Sequence, residues 1–268
     1  MDEMKKRETL ILEWMKELGK DIVKNKDEAM EIEEKTSFND LVTNMDKSVE
    51  KELTSRIREN FPTDRIVGEE GYGDDVDTLD GTIWFLDPID GTLNFVKQRE
   101  NFALMVGVFV DGVGELAAVY DVMRDKLYSA RKGDGIRCNG QALEKPESLP
   151  LSEGLLATSS VLMVNEENAY VRELGRQSMG VRALGSAGLE VVEVAKGNVV
   201  AYMARNLKPW DIAPGVVFME ELGMKATQFD GSELDMLSSN HAVFGTEPAH
   251  KEIVNSLSCK VKCNTFSP

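Results

Sequence analysis

The stretch TLDGTIWFLDPIDGT, from Thr78 to Thr92, contains the tripeptide Asp-Gly-Thr twice, with a short apolar run between the two copies. The run 83–86 is apolar at every position, which is typical of a strand that is buried on both faces. We predict that the first copy, residues 80–82, is a turn that leads into this strand. The second copy, residues 90–92, follows the strand at its carboxyl end, where open α/β sheets place their ligands.

Length, charge and cysteine content limit the class of protein. The chain has 268 residues, 42% hydrophobic and 29% charged, enough for one large domain or two intimate ones. The net charge of −16 argues against a nucleic-acid polymer or an anionic membrane as a partner, although metal ions between phosphate and acidic groups would still permit a small phosphorylated ligand. The charged residues 1–9 predict no signal peptide, and the longest apolar run, 102–110, is too short to span a bilayer. We therefore expect a cytoplasmic protein with reduced thiols.

The spacing of apolar residues predicts an α+β portion followed by an α/β portion, with a weak boundary near residues 145–152. We assign residues 1–148 to the first portion and 149–268 to the second, within one compact unit. Predicted helices cover the first ~25 residues, 44–60, 166–177, a segment capped by Ser186 that ends before Gly197, and 211–222. Predicted strands are 65–68, 83–86, 102–110, 114–120, 126–130, one near 137, 155–159, 181–184, 199–203 and 224–229.

Carboxylates follow the buried strand in the segment Asp87-Pro88-Ile89-Asp90-Gly91-Thr92. Pro88 fixes the backbone direction, so that Asp87 and Asp90 can converge on one point. Thr92 can open a short helix whose free N–H groups face the same point. Two carboxylates beside an anion-binding helix start suit Mg²⁺ with a substrate phosphate, although a capped turn with solvated aspartates remains an equal alternative for this segment alone.

Two further acidic segments shift the balance towards a metal site. Glu69 and Glu70 follow another predicted strand, and Asp211 stands at or near the start of a predicted helix. Either feature alone is also explained without chemistry, as a solvated turn or as a helix cap. Their occurrence together with the 87–92 segment indicates one acidic cluster.

Alternative sites fit less well. A haloacid-dehalogenase-type phosphatase needs an aspartate two residues before an Asp-Gly-Thr, where this chain has Thr78 and Pro88. The acidic loop 74–80 lacks the register of a calcium-binding EF-hand. Cys259 and Cys263 lack partners for a zinc site, and neither histidine stands in a recognisable catalytic constellation.

Four segments together resemble the signatures of the inositol monophosphatase family: DLVTNMD (40–46), GEE (68–70), WFLDPIDGTLNF (84–95) and WDIAPG (210–215). Their order and spacing match the family over nearly the whole chain. The resemblance implies a layered αβαβα sandwich, commonly a homodimer. It also implies a lithium-sensitive phosphatase that uses two or three Mg²⁺ ions and acts on small phosphate monoesters.

The resemblance also implies roles for individual residues. Metal ligands would be Glu69, Asp87, the carbonyl of Ile89, Asp90 and Asp211, most of them in the first portion of the chain. Glu69 and Thr92 would orient the attacking water, with Asp46 behind Thr92. Substrate contacts would come from Gly91, Thr92, Gly185, Ser186, Ala187, Arg205 and Asp211.

One position departs from the animal enzymes of this family, where a glutamate binds inositol hydroxyls. Here Ala204 occupies that position, and Arg205 and Lys208 follow it. A substrate with a second anionic group is therefore an alternative to inositol phosphate, such as fructose bisphosphate, NADP(H) or adenosine bisphosphate. A further alternative is a family member that binds metal but acts through protein contacts.

Overall fold

The computed structural model describes residues 2–27, 31–35 and 41–264, with side chains described up to residue 258. No helix in this part of the chain is long and apolar enough to cross a membrane. The helices are α1 (Glu3–Asn25), α2 (Asn44–Asn60), α3 (Thr92–Gln98), α4 (Ser160–Val164), α5 (Ala169–Gln177), α6 (Ala187–Ala195), α7 (Pro209–Leu222) and α8 (Glu247–Asn264), with 3₁₀ turns at Leu151–Glu153 and Glu166–Asn168. The strands are β1 (Ile32–Glu34), β2 (Leu41–Thr43), β3 (Arg65–Gly68), β4 (Thr82–Asp90), β5 (Ala103–Val110), β6 (Val113–Asp121), β7 (Lys126–Arg131), β8 (Ile136–Cys138), β9 (Gln141–Ala142), β10 (Leu155–Thr158), β11 (Gly180–Arg182), β12 (Ala201–Leu207), β13 (Lys225–Gln228) and β14 (Asn240–Gly245).

The larger sheet has seven strands in the order β3-β4-β5-β6-β7-β8-β9. Only the β3–β4 pair is parallel, so both of these strands end at the same edge of the sheet. Along β4, Ile83 and Phe85 pack into one core, while Trp84 and Leu86 pack into another. The predicted burial of this strand on both faces is confirmed.

The smaller sheet has five strands in the order β11-β10-β12-β14-β13. Strand β10 is parallel to both of its neighbours, and β14 runs antiparallel to both of its own. The connection between the two sheets runs from β9 to β10, so the boundary predicted near residues 145–152 falls within it.

Three hydrophobic cores define five layers. One core joins α1 and α2 to one face of the larger sheet, as the contacts of Trp14 and Leu53 with that face illustrate. The central core joins the other face to α6, α7 and the smaller sheet. The third core covers the outer face of the smaller sheet with α5 and α8. The order helix–sheet–helix–sheet–helix confirms the αβαβα sandwich.

Strand β4 is longer than the sequence predicts. Its pairing with β5 continues to Asp90, but the register shifts between Asp87 and Asp90. Pro88 lies within this irregularity, and it has no N–H to donate to a ladder. The irregularity leaves both aspartates on the strand, because Asp87 still pairs with Met105 and Asp90 with Ala103.

The second half of the chain departs from prediction in detail. The predicted helix 166–177 is a 3₁₀ turn followed by α5, and β12 starts at Ala201 rather than at residue 199. Residues 198–200 form a bend between the end of α6 and β12, in which the N–H of Val199 donates to the Glu193 carbonyl. The prediction missed β1, β2, β9, α4, β14 and α8. Residue 40 and the side chains of Cys259 and Cys263 lie outside the described part of the chain.

Candidate active site

Three buried or partly buried carboxylates meet where β4 ends. Asp87, Asp90 and Asp211 each offer an oxygen within 4.8 Å of the others. Two of them come from the end of β4, and the third comes from the first turn of α7. Helix α7 packs against strands β4, β5 and β6, which brings residues more than 120 positions apart in the chain to one point.

The amino-terminal end of helix α6 binds the Asp90 carboxylate. The Asp90 carboxylate accepts hydrogen bonds from the N–H groups of Ala187 (2.9 Å) and Gly188 (2.8 Å) and from the Ser186 hydroxyl. Ser186 is also the N-cap of α6, as predicted, and accepts from the Leu189 N–H. Since the first N–H groups of a helix lack partners within it, a carboxylate is a natural acceptor there.

The other two carboxylates are oriented by their own segments. One Asp87 oxygen accepts from the Ile89 N–H at 3.1 Å, and one Asp211 oxygen accepts from the Lys208 N–H at 2.6 Å. Asp211 lies two residues inside α7, after Pro209 at the first helical position. Each carboxylate therefore keeps acceptor capacity for the cluster.

Burial and mutual repulsion dominate the electrostatics of the cluster. Burial, and then the charges of Glu69, Asp90 and Asp211, raise the pKa of Asp87 well above its usual range. Burial raises the pKa of Asp90 to about 6 against its three hydrogen bonds, and burial together with the charge of Asp90 raises that of Asp211 to about 8. A divalent cation bound between these carboxylates would stabilise their ionised forms and remove the repulsion between them.

Glu69 lies beside the cluster at the end of β3. Its charge contributes to the raised pKa of Asp87, and its N–H donates to the Leu86 carbonyl at 3.3 Å. Lys35 bridges Glu69 and Glu70, with Nζ to oxygen distances of 2.9 and 2.6 Å. Glu50, fully buried in α2, accepts from the N–H groups of Glu70 and Tyr72.

Asp46 and Thr92 form a second polar pair behind the cluster. Asp46 is fully buried, accepts from the Thr43 N–H at 2.9 Å and from the Thr43 hydroxyl, and caps the start of α2. The Thr92 hydroxyl lies 3.0 Å from both an Asp46 oxygen and the Ile89 carbonyl oxygen. A hydroxyl has one proton, so when Thr92 donates it to Asp46, the Ile89 carbonyl and the Thr92 lone pairs stay free.

A cavity of about 270 Å³ opens over these groups. The chain turns into α3 at its wall through Gly91, whose φ of +90° is in the left-handed region. Larger grooves of about 570 and 670 Å³ lie elsewhere, but the carboxylates converge in the smaller one, which we take as the site. Its lining consists of Leu41, Glu69, Asp87, Ile89, Asp90, Gly91, Thr92, Leu93, Gly185 and Asp211.

The two cations after Ala204 do not line this cavity. The Arg205 guanidinium lies over the Tyr170 ring, 5.7 Å from its centroid, and the Lys208 ammonium donates to the Ser239 hydroxyl at 2.9 Å. Ala204 itself is buried in β12, opposite Ala242. The histidines also lie away from the site, with His250 bound to Thr227 and His241 accepting from the Asn206 N–H.

Sequence reasoning missed three polar residues that shape the site: Lys35, Glu50 and Glu190. Glu190 is buried in α6 and accepts from the Leu184 N–H at 2.5 Å, at the turn that precedes Ser186. Glu50 carries the one available signal, because it stands four residues after Asp46 and so on the same helix face. Nothing local marks Lys35, since its partners lie 34 and 35 residues away.

Known proteins with the same architecture place this geometry in a family. The model of the inositol monophosphatase family matches residues 3–262. The chain is 39% identical to the inositol-1-monophosphatase of Bacillus subtilis (strain 168), over 90% of this chain and 92% of that protein. It is 35% identical to the Nus factor SuhB of Escherichia coli (strain K12), over 80% of each.

Solved structures agree with the sequence matches. An IMPase/NADP phosphatase complexed with Mg²⁺ and phosphate superposes with a TM-score of 0.86 at 31% identity, over 95% of this chain and 96% of that one. Sequence and fold thus agree over almost the full length described. The chain belongs to the inositol monophosphatase family and is a phosphoric monoester hydrolase.

Proposed function

We propose that this protein is a Mg²⁺-dependent phosphomonoesterase that hydrolyses small phosphorylated metabolites similar to inositol monophosphate. The observation that carries the proposal is the cluster of Asp87, Asp90 and Asp211 at one cavity, beside the start of α3. The Mg²⁺ and phosphate complex of the IMPase/NADP phosphatase supports it.

The donor set suits Mg²⁺. All candidate ligands are oxygens: the carboxylates of Glu69, Asp87, Asp90 and Asp211, and the Ile89 carbonyl. Magnesium prefers such hard ligands and is usually held by a few carboxylates, waters and substrate phosphate. We propose that these residues hold two or three ions. When bound, Mg²⁺ would lower the pKa of a water and stabilise the charge of the phosphate and the leaving oxygen.

The residues around the cluster would direct the water and the phosphate. With its own proton in the hydrogen bond to Asp46, the Thr92 hydroxyl can accept a hydrogen bond from the attacking water, and the Glu69 carboxylate would be the second acceptor that orients it. The first N–H groups of α3, at Gly91 and Thr92, would donate to the phosphate. The hydrogen bonds from the Ser186 hydroxyl and the Ala187 N–H to the Asp90 carboxylate would keep this metal ligand in place. The segment 185–187 that carries these donors would also approach the substrate.

The second candidate is a substrate with another anionic group, such as fructose 1,6-bisphosphate, NADP(H) or adenosine 3′,5′-bisphosphate. It is motivated by the alanine at position 204, which offers no acceptor for sugar hydroxyls; the neighbouring Arg205 is exposed but does not line the cavity. The name IMPase/NADP phosphatase shows that a structural neighbour of this chain accepts a second substrate class. Comparing kcat/KM for these substrates and inositol monophosphate decides between the two candidates.

The non-enzymatic alternative is a metal-binding protein that acts through protein contacts. The relative named Nus factor SuhB motivates it. Mn²⁺ binding without turnover of any phosphate ester would support this alternative against phosphatase activity. We further propose a cytoplasmic homodimer that lithium inhibits, which size-exclusion chromatography with light scattering and an assay in LiCl would test.

The central experiment is Asp87→Asn, assayed with p-nitrophenyl phosphate and Mg²⁺. We expect a loss of more than about 100-fold, because changes merely behind metal ligands already cost ~10–100-fold. Asp111→Asn is the matched control, since Asp111 is an exposed turn residue with a φ of +49°, a conformation that asparagine tolerates. Substantial Mg²⁺-dependent turnover by Asp87→Asn would contradict the proposal.

A further inference from the structure

A buried glutamate that is not among the proposed metal ligands accepts hydrogen bonds from the turn that follows Glu69. Glu50 lies in α2, one helical turn after Asp46, and its side chain is fully buried. Its Oε2 accepts from the Glu70 N–H at 2.7 Å, and its Oε1 accepts from the Tyr72 N–H at 3.0 Å. Both carboxylate oxygens are therefore used on the main chain directly after Glu69.

The turn is fixed from its other side by β4. The Glu69 N–H donates to the Leu86 carbonyl, so the Glu69 backbone lies between β4 and the Glu50 carboxylate. Gly68 allows this close approach, because a Cβ at that position would overlap the Glu50 carboxyl. The side chain of Glu69 thus starts from a backbone that two separate elements hold in place.

The burial of a carboxyl group at Glu50 argues for a role in addition to packing. No ion pair within 4.0 Å joins Glu50 to a cation in the part of the chain that the structure describes. Burying a carboxylate is costly, and apolar side chains often replace buried charges without loss of stability. An apolar residue would fill this space without that cost, but it would leave the Glu70 and Tyr72 N–H groups without the acceptors that the carboxylate supplies.

We propose that Glu50 is a positioning residue that sets the Mg²⁺ affinity of the site by holding the Glu69 turn against β4. The inference rests on the proposed function, because it takes Glu69 as a metal ligand. One helix then supports two parts of the site: Asp46 holds Thr92, and Glu50 holds the turn of Glu69.

The test compares Glu50→Gln with Asp64→Asn. Glutamine keeps the size of Glu50 but places an amide donor against one of the two N–H groups. Asp64 is the matched control, because it is also a buried carboxylate but lies directly before β3, at the end of the strand away from Glu69. There it accepts hydrogen bonds from the Arg7 guanidinium and the Trp84 indole N–H. Its change to asparagine also removes a buried charge, but it leaves residues 68–72 untouched.

The readout is Mn²⁺ binding, measured from the electron paramagnetic resonance signal of the free ion, beside the Mg²⁺ dependence of activity. For Glu50→Gln we expect ~10–100-fold weaker binding and a matching rise in the Mg²⁺ concentration for half-maximal rate, as for other residues that orient metal ligands. The kcat at saturating Mg²⁺ should change much less. Asp64→Asn should lower the melting temperature while its Mn²⁺ affinity stays at the wild-type value.

The inference is overturned if Glu50→Gln folds and binds Mn²⁺ with wild-type affinity. It is also overturned if Asp64→Asn loses as much Mn²⁺ affinity as Glu50→Gln does. If Glu50→Gln does not fold, Glu50→Met replaces it, since an apolar side chain of similar length adds no buried donor. If neither folds, amide hydrogen exchange of the wild type decides, and unprotected Glu70 and Tyr72 amides overturn it. Wild-type Mn²⁺ binding without phosphatase activity would instead remove the proposed function and leave this inference standing.

Discussion

The two Asp-Gly-Thr copies are identical in sequence and opposite in use. In the first, Asp80 and Gly81 are exposed, and Gly81 exchanges hydrogen bonds with Asp111 in the turn between β5 and β6. In the second, Asp90 is buried and holds the start of α6. The turn predicted at residues 80–82 is present as a bend at Gly81, with a φ of +72°, whereas Thr82 is already the first residue of β4. A tripeptide acquires its role from the element that packs against it.

The largest difference should appear when the two aspartates are changed in parallel. Asp90→Asn removes a charge from the cluster and turns an amide donor towards the N–H groups of α6, so we expect activity to fall more than ~100-fold. Asp80→Asn should stay within about twofold, because an exposed turn residue has little effect on the fold. Steady-state assays at saturating Mg²⁺ measure both. Similar losses in the two variants would refute the assignment of separate roles.

The two glycines should differ in stability. Both have positive φ, +72° for Gly81 and +90° for Gly91, so alanine costs about 1 kcal/mol at either position from backbone strain. A Cβ on Gly91 would also lie 3.2 Å from the carbonyl oxygens of Asn101 and Gly185, whereas nothing lies within 4 Å at Gly81. We expect Gly91→Ala to lose about 3 kcal/mol in urea unfolding, given a further ~1–3 kcal/mol for overpacking. Equal losses of unfolding free energy in Gly81→Ala and Gly91→Ala would show that the residues around Gly91 move to accommodate the added Cβ.

The smallest effect concerns pH and the metal-free protein. The folded pKa values of Asp90 (about 6) and Asp211 (about 8) lie above the ordinary aspartate value, so the folded state binds more protons than the unfolded state above pH ~4. The free energy of unfolding should therefore fall, by at least about 1 kcal/mol between pH 5 and pH 8. Burial raises the pKa of Glu70 and Glu190 to about 7, which adds to the same trend.

Unfolding at several pH values in EDTA measures this dependence. The slope should be smaller in Asp90→Asn and unchanged in Asp80→Asn, which sharpens the contrast between the copies. Added Mg²⁺ should reverse most of the fall, because it binds the ionised carboxylates of the folded state. Stability that rises with pH in the metal-free wild type would contradict the electrostatics described for the cluster.

Local pattern was sufficient for much of the larger sheet. The elements that depend on neighbours in sequence are present as predicted. They are the buried strand β4, the hairpin with its turn at Asp111, and the helices α1 and α2 with their helical periodicity. The second half was predicted less accurately. Its shorter elements are bounded by hydrogen bonds between distant segments, such as that from the Val200 N–H to the Leu155 carbonyl.

For the site, the sequence by itself determined the types and local order of the clustered side chains, because Asp87, Pro88, Asp90 and the Gly91 turn lie within one segment. Only the tertiary structure decided which groups hold them. Asp90 meets Ser186 and Gly188 across 96 and 98 residues, and Lys35 reaches Glu69 across 34. The contacts of Asp90 exist because α6, α7 and β4 pack on one core, and packing between distant elements leaves no periodic trace in the sequence.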